Sequence, residues 1–386
     1  MDRYYFDHNA TTPVAPEVLA AMTPCFSRVY GNASSIHNFG REAKALLEQA
    51  RRQTAALLSC RPAEIVFTGG GTEANNLAIL GSVRASPRHR RHLITTAIEH
   101  PSVLDACRQL EKEGVEVSYV RAGSDGVVSP DDVRAALGPH TVLISVMHAN
   151  NEIGTLQPVR EIAAIAGEAG ALMHADGVQS AGKVPVDVAG LGLDLFSLSG
   201  HKIYGPKGTG ALFVRRGTPL ERVLFGGHHE RDRRPGTENV AGLVGLGQAA
   251  ELAGRSLPAE APRLAALRDR LERALLDGVG ACGVNGAGAA RVPNTANLYF
   301  DYLEGESMVI ALDLKGMAVS TGAACSSGSI EPSHVLTSIG LGPERARASL
   351  RFSFGRLNTA EQVEALIEAV AGVVERLREL SPCLPR

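Results

Sequence analysis

The sequence lacks the features that mark membrane and nucleic-acid-binding proteins. No apolar stretch approaches the roughly 20 residues needed to cross a bilayer, and residues 1–5 lack the apolar core of a signal peptide. The formal net charge is −2, and no long basic run occurs in either half of the chain. We therefore expect a cytoplasmic protein with no membrane partner and no direct nucleic-acid partner.

Cysteine is sparse and scattered. The six cysteines are far apart in sequence, and no two of them form a CxxC pair. This spacing argues against a disulfide framework and against a metal cluster, so we expect reduced thiols and no metal site.

The length of 386 residues indicates two domains, because it exceeds what one compact core usually holds. Between Glu64 and Arg215, short apolar runs alternate with helical segments, which is typical of an α/β domain. Residues 142–146 are almost continuously apolar, as in a parallel strand buried on both faces. We assign the large domain to residues 15–257. Its strands are expected at residues 64–68, 92–96, 115–120, 141–148, 172–175, 195–199 and 210–214.

The pattern changes after Leu257. Pro258 and Pro262 flank a short acidic, alanine-rich segment that is predicted to be a turn, and a long amphipathic helix is expected to follow it. A final helix is expected after Asn358. Residues 1–14 and 258–386 are therefore predicted to form a smaller α+β domain. Its short strands are expected at residues 297–300, 317–320 and 350–354.

Lys202 is the first candidate site residue. It directly follows a predicted strand and lies among small and hydroxyl-bearing residues in the run 197–208. A lysine amine held rigidly in a cleft can form a Schiff base, and Ser199 and His201 could hold an anion such as a cofactor phosphate. The alternative is an ordinary loop lysine beside a glycine turn.

Asp176 lies 26 residues before Lys202 and ends another apolar strand. Ligands of open α/β sheets bind at this carboxyl edge. Pyridoxal phosphate needs a carboxylate against its pyridinium nitrogen, because the protonated ring is the electron sink. The alternative is an aspartate that caps the next helix.

Three further motifs follow predicted strands. The glycine turn at residues 68–76 includes Gly71 and Thr72 and could present helix N–H groups to a phosphate. His100 could stack on a planar ring, and Asn151 would face the same cleft. Each motif alone is ambiguous, but all five lie at carboxyl ends of predicted strands. Together they indicate a pyridoxal-phosphate enzyme.

The sequence resembles the NifS/IscS-type cysteine desulfurases, in the class V aminotransferase branch of the fold-type I pyridoxal-phosphate enzymes. The resemblance runs from residues 6–13 to residues 381–382, and its most specific segments are 147–154, 174–179 and 199–208. It implies a fold-type I transferase, in which a large α/β domain with a mostly parallel seven-stranded sheet is joined to the smaller α+β domain.

The resemblance also implies residue roles. Lys202 would carry the cofactor as a Schiff base, Asp176 would pair with the ring nitrogen, and Gln179 would contact the ring hydroxyl. His100 would cover the ring as a catalytic residue. The phosphate would be held by Gly71, Thr72, Ser199 and His201, and by Thr237 of a second copy, which implies a homodimer with shared active sites.

Cys325 decides among the reactions of this fold. It lies in a run of small residues, 321–329, between a predicted strand and a predicted helix. By resemblance its thiolate attacks the sulfur of L-cysteine and becomes a persulfide, and L-alanine leaves. Arg351 would clamp the substrate carboxylate as a bidentate fork, with Asn151 assisting. The sulfur would pass to an acceptor protein for iron–sulfur cluster assembly or tRNA thiolation.

Three other functions are compatible with parts of this pattern. A class V aminotransferase needs no mobile cysteine, so Cys325 argues against it. A selenocysteine lyase would share the same residues. A catalytically silent sulfur-transfer scaffold would be indicated by loss of Lys202, Asp176 or Cys325, and all three are present.

Overall fold

A computed structural model describes residues 3–87, 91–322 and 332–380. The strands are β1 (Tyr4–Tyr5), β2 (Ile65–Thr68), β3 (His92–Thr96), β4 (Glu116–Val120), β5 (Thr141–Ser145), β6 (Leu172–Asp176), β7 (Leu195–Ser199), β8 (Gly210–Val214), β9 (Cys282–Val284), β10 (Thr295–Phe300), β11 (Met317–Ala318) and β12 (Ser349–Ser353). The helices are α1 (Pro16–Met22), α2 (Asn38–Leu57), α3 (Gly71–Ala85), α4 (Pro101–Lys112), α5 (Pro130–Ala135), α6 (Val159–Glu168), α7 (Val240–Gly278), α8 (Gly305–Asp313), α9 (His334–Ser338), α10 (Pro343–Arg347) and α11 (Ala360–Leu380).

Seven strands form the central sheet, in the order β2-β8-β7-β6-β5-β3-β4. Only β8 runs against the others, since it is antiparallel to both β2 and β7. The mostly parallel seven-stranded sheet predicted from the sequence is therefore confirmed.

Both faces of this sheet are covered. Ile94 and Ile144 belong to one buried apolar cluster, whereas their neighbours Leu93 and Leu143 belong to another on the opposite face. This two-residue alternation follows from strand geometry and explains why these strands are almost continuously apolar in sequence. Because the parallel strands run in the same direction, their carboxyl ends meet at one edge of the sheet. Polar residues follow β2, β3, β5, β6 and β7 at this edge.

A third apolar cluster contains Phe6 and residues from Leu264 to Val374. It packs around a three-stranded antiparallel sheet of order β12-β10-β9. Strand β1 pairs in parallel with β11, so the N-terminal segment lies with this part of the chain.

The turn predicted at Pro258–Pro262 is wrong. Helix α7 runs without a break from Val240 to Gly278 and contains both prolines. Each proline removes one main-chain hydrogen bond, leaving the carbonyls of Gly254 and Pro258 without their usual helical donors. Both of these residues are exposed, so water can satisfy the freed carbonyls.

No helix among the described residues is long and apolar enough to cross a bilayer.

Candidate active site

One cavity of about 410 Å³ at the carboxyl edge of the sheet brings most of the predicted site together. Ten of the twelve predicted site residues line it: Gly71, Thr72, His100, Asn151, Asp176, Gln179, Ser199, His201, Lys202 and Arg351. The strand ends supply most of these residues, as expected for ligand sites of open α/β sheets.

Lys202 lies in a short 3₁₀ turn that directly follows β7. Its Nζ donates to the main-chain carbonyls of Asn9 (2.6 Å) and Ala10 (2.8 Å). The amine is thus held at the cavity wall by a segment almost 200 residues away in sequence.

Asp176 ends β6 and is held by two donors. The main-chain N–H of Val178 donates to its Oδ1 (2.9 Å), and Nδ2 of the buried Asn75 donates to its Oδ2 (2.7 Å). The same Asn75 nitrogen donates to Ser102 Oγ (2.9 Å). Asn75 therefore fixes the carboxylate from the side of α3 and ties it to the start of α4.

His100 caps the N-terminus of α4. Its Nδ1 accepts from the main-chain N–H of Ser102 (3.1 Å) and lies 2.8 Å from Ser102 Oγ. A main-chain N–H can only donate, so Nδ1 is the unprotonated nitrogen of the neutral ring. The proton of neutral His100 consequently lies on Nε2, where the ring can act as a donor.

The first turn of α3 forms the opposite end of the cavity. Its N–H groups have no acceptor within the helix, which suits an anion. A Cβ built on Gly71 would lie 2.7 Å from Val178 Cγ2, so glycine is required for this close packing. A second cavity of about 820 Å³ adjoins this end and shares Gly71, Thr72, Ser199 and His201 with the first.

His201 is neutral near pH 7 in this state. Burial lowers its pKa to about 4, and the nearby charges of Lys202 and Lys207 act in the same direction. Its Nδ1 lies 3.1 Å from Thr11 Oγ1. A neutral ring can still offer an N–H to an anion, and a bound anion would oppose the charge effect of the two lysines.

Arg351 differs from the free bidentate fork that the sequence suggested. Its Nη2 pairs with Asp7 Oδ1 (2.7 Å), and its Nη1 donates to the main-chain carbonyl of Asn151 (2.9 Å). Both Arg351 Nε and Asn151 Oδ1 are buried without a hydrogen-bond partner. A substrate carboxylate would thus have to use Nε or displace Asp7.

The remaining two predicted residues are not part of the described cavity. Thr237 is exposed and lines neither this cavity nor the adjoining one. Cys325 lies outside the described residues. Described residues on both sides of it are close to the site: the carbonyl of Gly322 is 3.5 Å from Arg351 Nη1, and Ser333 Oγ donates to Glu152 Oε2 (2.6 Å). Burial raises the pKa of this Glu152 carboxyl.

Sequence reasoning missed Asn9, Asn75 and Lys183. Asn9 Oδ1 accepts from Lys183 Nζ (2.8 Å), and Asn9 Nδ2 donates to Thr295 Oγ1 (2.8 Å). Asn9 and Asn75 lie in segments that the sequence did single out, but no local signal assigns their side-chain partners, which lie between 27 and 286 residues away.

The aminotransferase class-V family model matches residues 4–366. The chain belongs to the aminotransferase class-V family. It is 46% identical over 378 residues to cysteine desulfurase IscS from Dictyoglomus turgidum, covering 98% of this chain and 96% of that protein. The family resemblance inferred from the sequence is confirmed.

Solved structures agree with this membership. A NifS-like protein is 34% identical, with a TM-score of 0.91, covering 97% of this chain and 100% of that one. A structure described as SspA in complex with cysteine is 38% identical, with a TM-score of 0.80, and the match covers 91% and 98% of the two chains.

Enzymes of this class-V family depend on pyridoxal phosphate. The donor set of the cavity fits this cofactor. Lys202 offers an amine for the cofactor aldehyde, Asp176 offers a carboxylate for the ring nitrogen, and the first turn of α3 with Ser199 offers donors for the phosphate.

Asp176→Asn should keep the bound cofactor but lose most activity. An amide cannot hold the ring nitrogen protonated, and losing such a preorganised charge costs roughly two or more orders of magnitude in turnover. Cofactor content and turnover would be measured side by side, with the exposed Asp132→Asn on α5 as control. No helix lies in the described segment between Asp176 and β7, so turnover within a few-fold of wild type would show that Asp176 serves only the turn after β6, through its bond from the Val178 N–H.

Glu99 makes stability depend on pH. Its Oε1 accepts from Thr96 Oγ1 (2.7 Å) and the Met147 N–H (2.8 Å), its Oε2 is buried without a partner, and burial raises its pKa from 4.5 to about 8. The contribution of the Glu99 carboxyl to the free energy of unfolding is full below pH 4.5 and is lost as pH rises through 8. Glu99→Gln avoids this loss, because an amide does not ionise. We expect the Tm of the variant minus the Tm of wild type to become more positive by a few degrees as the pH rises from about 5 to about 9. Glu161→Gln on the surface of α6 serves as control, and a constant Tm difference would contradict the prediction.

Proposed function

We propose that this chain is a cysteine desulfurase. It converts L-cysteine to L-alanine and carries the sulfur as a persulfide on Cys325. The observation that supports this most is the single cavity that combines Lys202, Asp176 and Arg351, with Gly322, three residues before Cys325, beside Arg351.

Pyridoxal phosphate, when bound, supplies the electron sink next to the substrate Cα. The amine of Lys202 removes the Cα proton, and Asp176 keeps the ring nitrogen protonated. Ser199, His201 and Thr72 would hold the phosphate, Gln179 would contact the ring hydroxyl, and His100 would cover the ring with its Nε2–H available as a donor.

Cys325 supplies the nucleophile. Its thiolate attacks the substrate sulfur, so an S–S bond forms while the bond between that sulfur and the substrate Cβ breaks. The electron pair of the broken bond stays with the carbon fragment, which takes up protons and leaves as L-alanine. The sulfur remains on the enzyme as a persulfide.

Arg351 and Asn151 bind the substrate. Arg351 Nε is a buried donor without a partner, so it is available to the substrate carboxylate. Charge-assisted hydrogen bonds of this kind are roughly twice as strong as those between neutral groups. Asp7 keeps the guanidinium in place and exchanges part of its contact for the substrate carboxylate.

A homodimer with shared sites is part of the proposal. The loop that carries Thr237 is tied to the glycine turn, because Arg234 Nε pairs with Glu73 Oε1 (2.9 Å) and Glu73 Oε2 accepts from the Gly69 N–H (2.8 Å). The exposed Thr237 is then available to the cofactor phosphate of a second copy.

The sulfur acceptor is proposed to be an iron–sulfur scaffold or a tRNA-thiolating enzyme, in the cytoplasm, where thiols stay reduced.

We also propose that the chain is divided into two domains. The large domain consists of residues 15–257, the small domain consists of residues 1–14 and 258–386, and the boundary lies inside α7.

The test is the reaction itself. Purified holoenzyme with L-cysteine and a thiol reductant should release L-alanine and sulfide in equal amounts, and an acceptor protein should divert the sulfide without reducing alanine. Formation of 3-mercaptopyruvate, the keto acid that amino-group transfer from L-cysteine leaves, without alanine or sulfide, would contradict the proposed function and support transamination.

A further inference from the structure

Lys183 is a lysine that the proposed chemistry does not use. It follows β6, and its Nζ lies 2.6 Å from Gln179 Oε1 and 2.8 Å from Asn9 Oδ1. Within the described part of the chain, no carboxylate forms an ion pair with it. Burial lowers its pKa well below the usual range, and the charges of Lys202 and Arg351 lower it further. A neutral amine has two N–H donors, which matches these two acceptors.

The two contacts of Gln179 fix the orientation of its side-chain amide. Its oxygen must face Lys183, since an amine that donates would be repelled by an NH₂ group. Its nitrogen must face the main-chain carbonyl of Asn9, to which it donates at 3.0 Å. Only one of the two hydrogens on that nitrogen is used there. Gln179 lines the 410 Å³ cavity, so its second N–H remains for a group in the cavity.

We propose that Lys183 is a positioning residue for the cofactor: it holds the Gln179 amide so that an N–H, and not the carbonyl, meets the ring hydroxyl. This rests on the proposed function, which places Gln179 at that hydroxyl. Without Lys183 the Gln179 oxygen loses its donor, and only the Asn9 carbonyl then opposes a turn of the amide that would face its oxygen toward the ring oxygen, where two acceptors repel.

Asn9 connects this arrangement to the Schiff-base lysine. Its main-chain carbonyl accepts from both Gln179 Nε2 (3.0 Å) and Lys202 Nζ (2.6 Å). Its side-chain oxygen accepts from Lys183 and from Asn294 Nδ2 (3.1 Å). One residue therefore joins both lysines and the glutamine.

The direction of the effect follows from charge. An N–H donated to the ring oxygen stabilises the ionised form of that oxygen. The stabilised oxygen attracts the proton on the neighbouring lysine nitrogen less strongly, so the pKa of that nitrogen is lower. Loss of the donor should therefore raise the pKa of the lysine nitrogen. Other charged or titratable groups near Lys183 are Lys202 and Arg351, whose charges lower its pKa, and His8. A separate small cavity is lined by Lys183 itself together with Tyr204, Glu260 and Arg356.

The experiment uses the holoenzyme of Lys183→Met, which keeps the length of the side chain and removes its donors. The readout is the pH midpoint of the visible absorption band of the bound cofactor. We expect this midpoint to rise by about one pH unit, with cofactor still bound. Lys112→Met, an exposed lysine of α4, is the matched control and should not shift it. An unshifted midpoint in Lys183→Met would overturn the proposal.

A double-mutant cycle tests the route through Gln179. Gln179→Leu should raise the midpoint, and adding Lys183→Met to Gln179→Leu should raise it no further. A full additional shift would show that Lys183 acts by charge alone, which overturns its positioning role. If Lys183→Met does not fold, Lys183→Gln retains a donor without a charge and should keep a midpoint closer to wild type than Gln179→Leu does. A midpoint equal to that of Gln179→Leu would contradict the proposal.

A different measurement tests the proposed function itself. It would be excluded by wild-type enzyme that binds the cofactor but releases no alanine from cysteine. The positioning role of Lys183 is judged only from the shift between wild type and variant.

Discussion

Cys325→Ser should bind L-cysteine and release almost no L-alanine. Serine is nearly isosteric with cysteine but is a far weaker nucleophile unless a base activates it. Lys202, Asp176 and Arg351 remain in this variant, so substrate should still change the visible spectrum of the bound cofactor. Alanine release should fall by roughly three or more orders of magnitude, comparable to removal of other catalytic nucleophiles.

Mass spectrometry after brief exposure to cysteine should place one added sulfur on the wild-type peptide that contains Cys325. The four described cysteines are poor thiolates: burial raises the pKa of Cys60 and Cys107 to about 12, and it also raises the pKa of Cys25 and Cys282. Nucleophilicity requires the thiolate. Cys282→Ser is a matched control and should keep full alanine release. Sulfur mapped to any other cysteine, or normal turnover of Cys325→Ser, would refute the assignment.

Lys202→Ala should lose both the covalent attachment of the cofactor and the proton transfer at Cα. The Nζ of Lys202 lies at the cavity wall between two main-chain carbonyls, and within the described residues no second lysine lines this cavity. The visible band of the bound cofactor should vanish, and turnover should fall by at least roughly 10³-fold, as for loss of a general acid–base group.

Borohydride reduction followed by peptide mapping checks the attachment site. Wild type should carry the reduced cofactor on Lys202, and Lys202→Ala should carry none. Lys112→Ala controls for loss of a lysine. A reducible adduct in Lys202→Ala, with Lys207 as the first position to inspect, would move the cofactor linkage to another residue.

The strand ends explain how much of the site could be predicted from sequence. Asp176 ends one buried strand and Lys202 follows another, and parallel strands bring their carboxyl ends to one edge. A strand pattern therefore predicts that such residues meet, even without knowing their distances. The seven strands of the sheet could be predicted because buried strands leave short apolar runs in the sequence.

The contacts that hold these groups could not be predicted in this way. Asn9 bonds to Lys202 and Lys183, and Asp7 pairs with Arg351, across separations of 174 to 344 residues. No local periodicity encodes such pairs. Pro258 was misread for another reason: proline predicts a break from local geometry alone, but packing along α7 and exposed carbonyls outweigh that preference.

The bonds made by the Asp7–Asn9 segment set an order of events during synthesis. Asp7 pairs with Arg351, and the Asn9 N–H donates to Ser353 Oγ (2.9 Å), a separation of 344 residues. At roughly 5–20 residues per second, a ribosome needs on the order of tens of seconds to make the intervening chain. The central sheet can assemble in that interval. The segment whose Asn9 carbonyl accepts from Lys202, however, is not fully held in place until β12 has been made. Nascent chains stalled before residue 349 should therefore retain pyridoxal phosphate poorly.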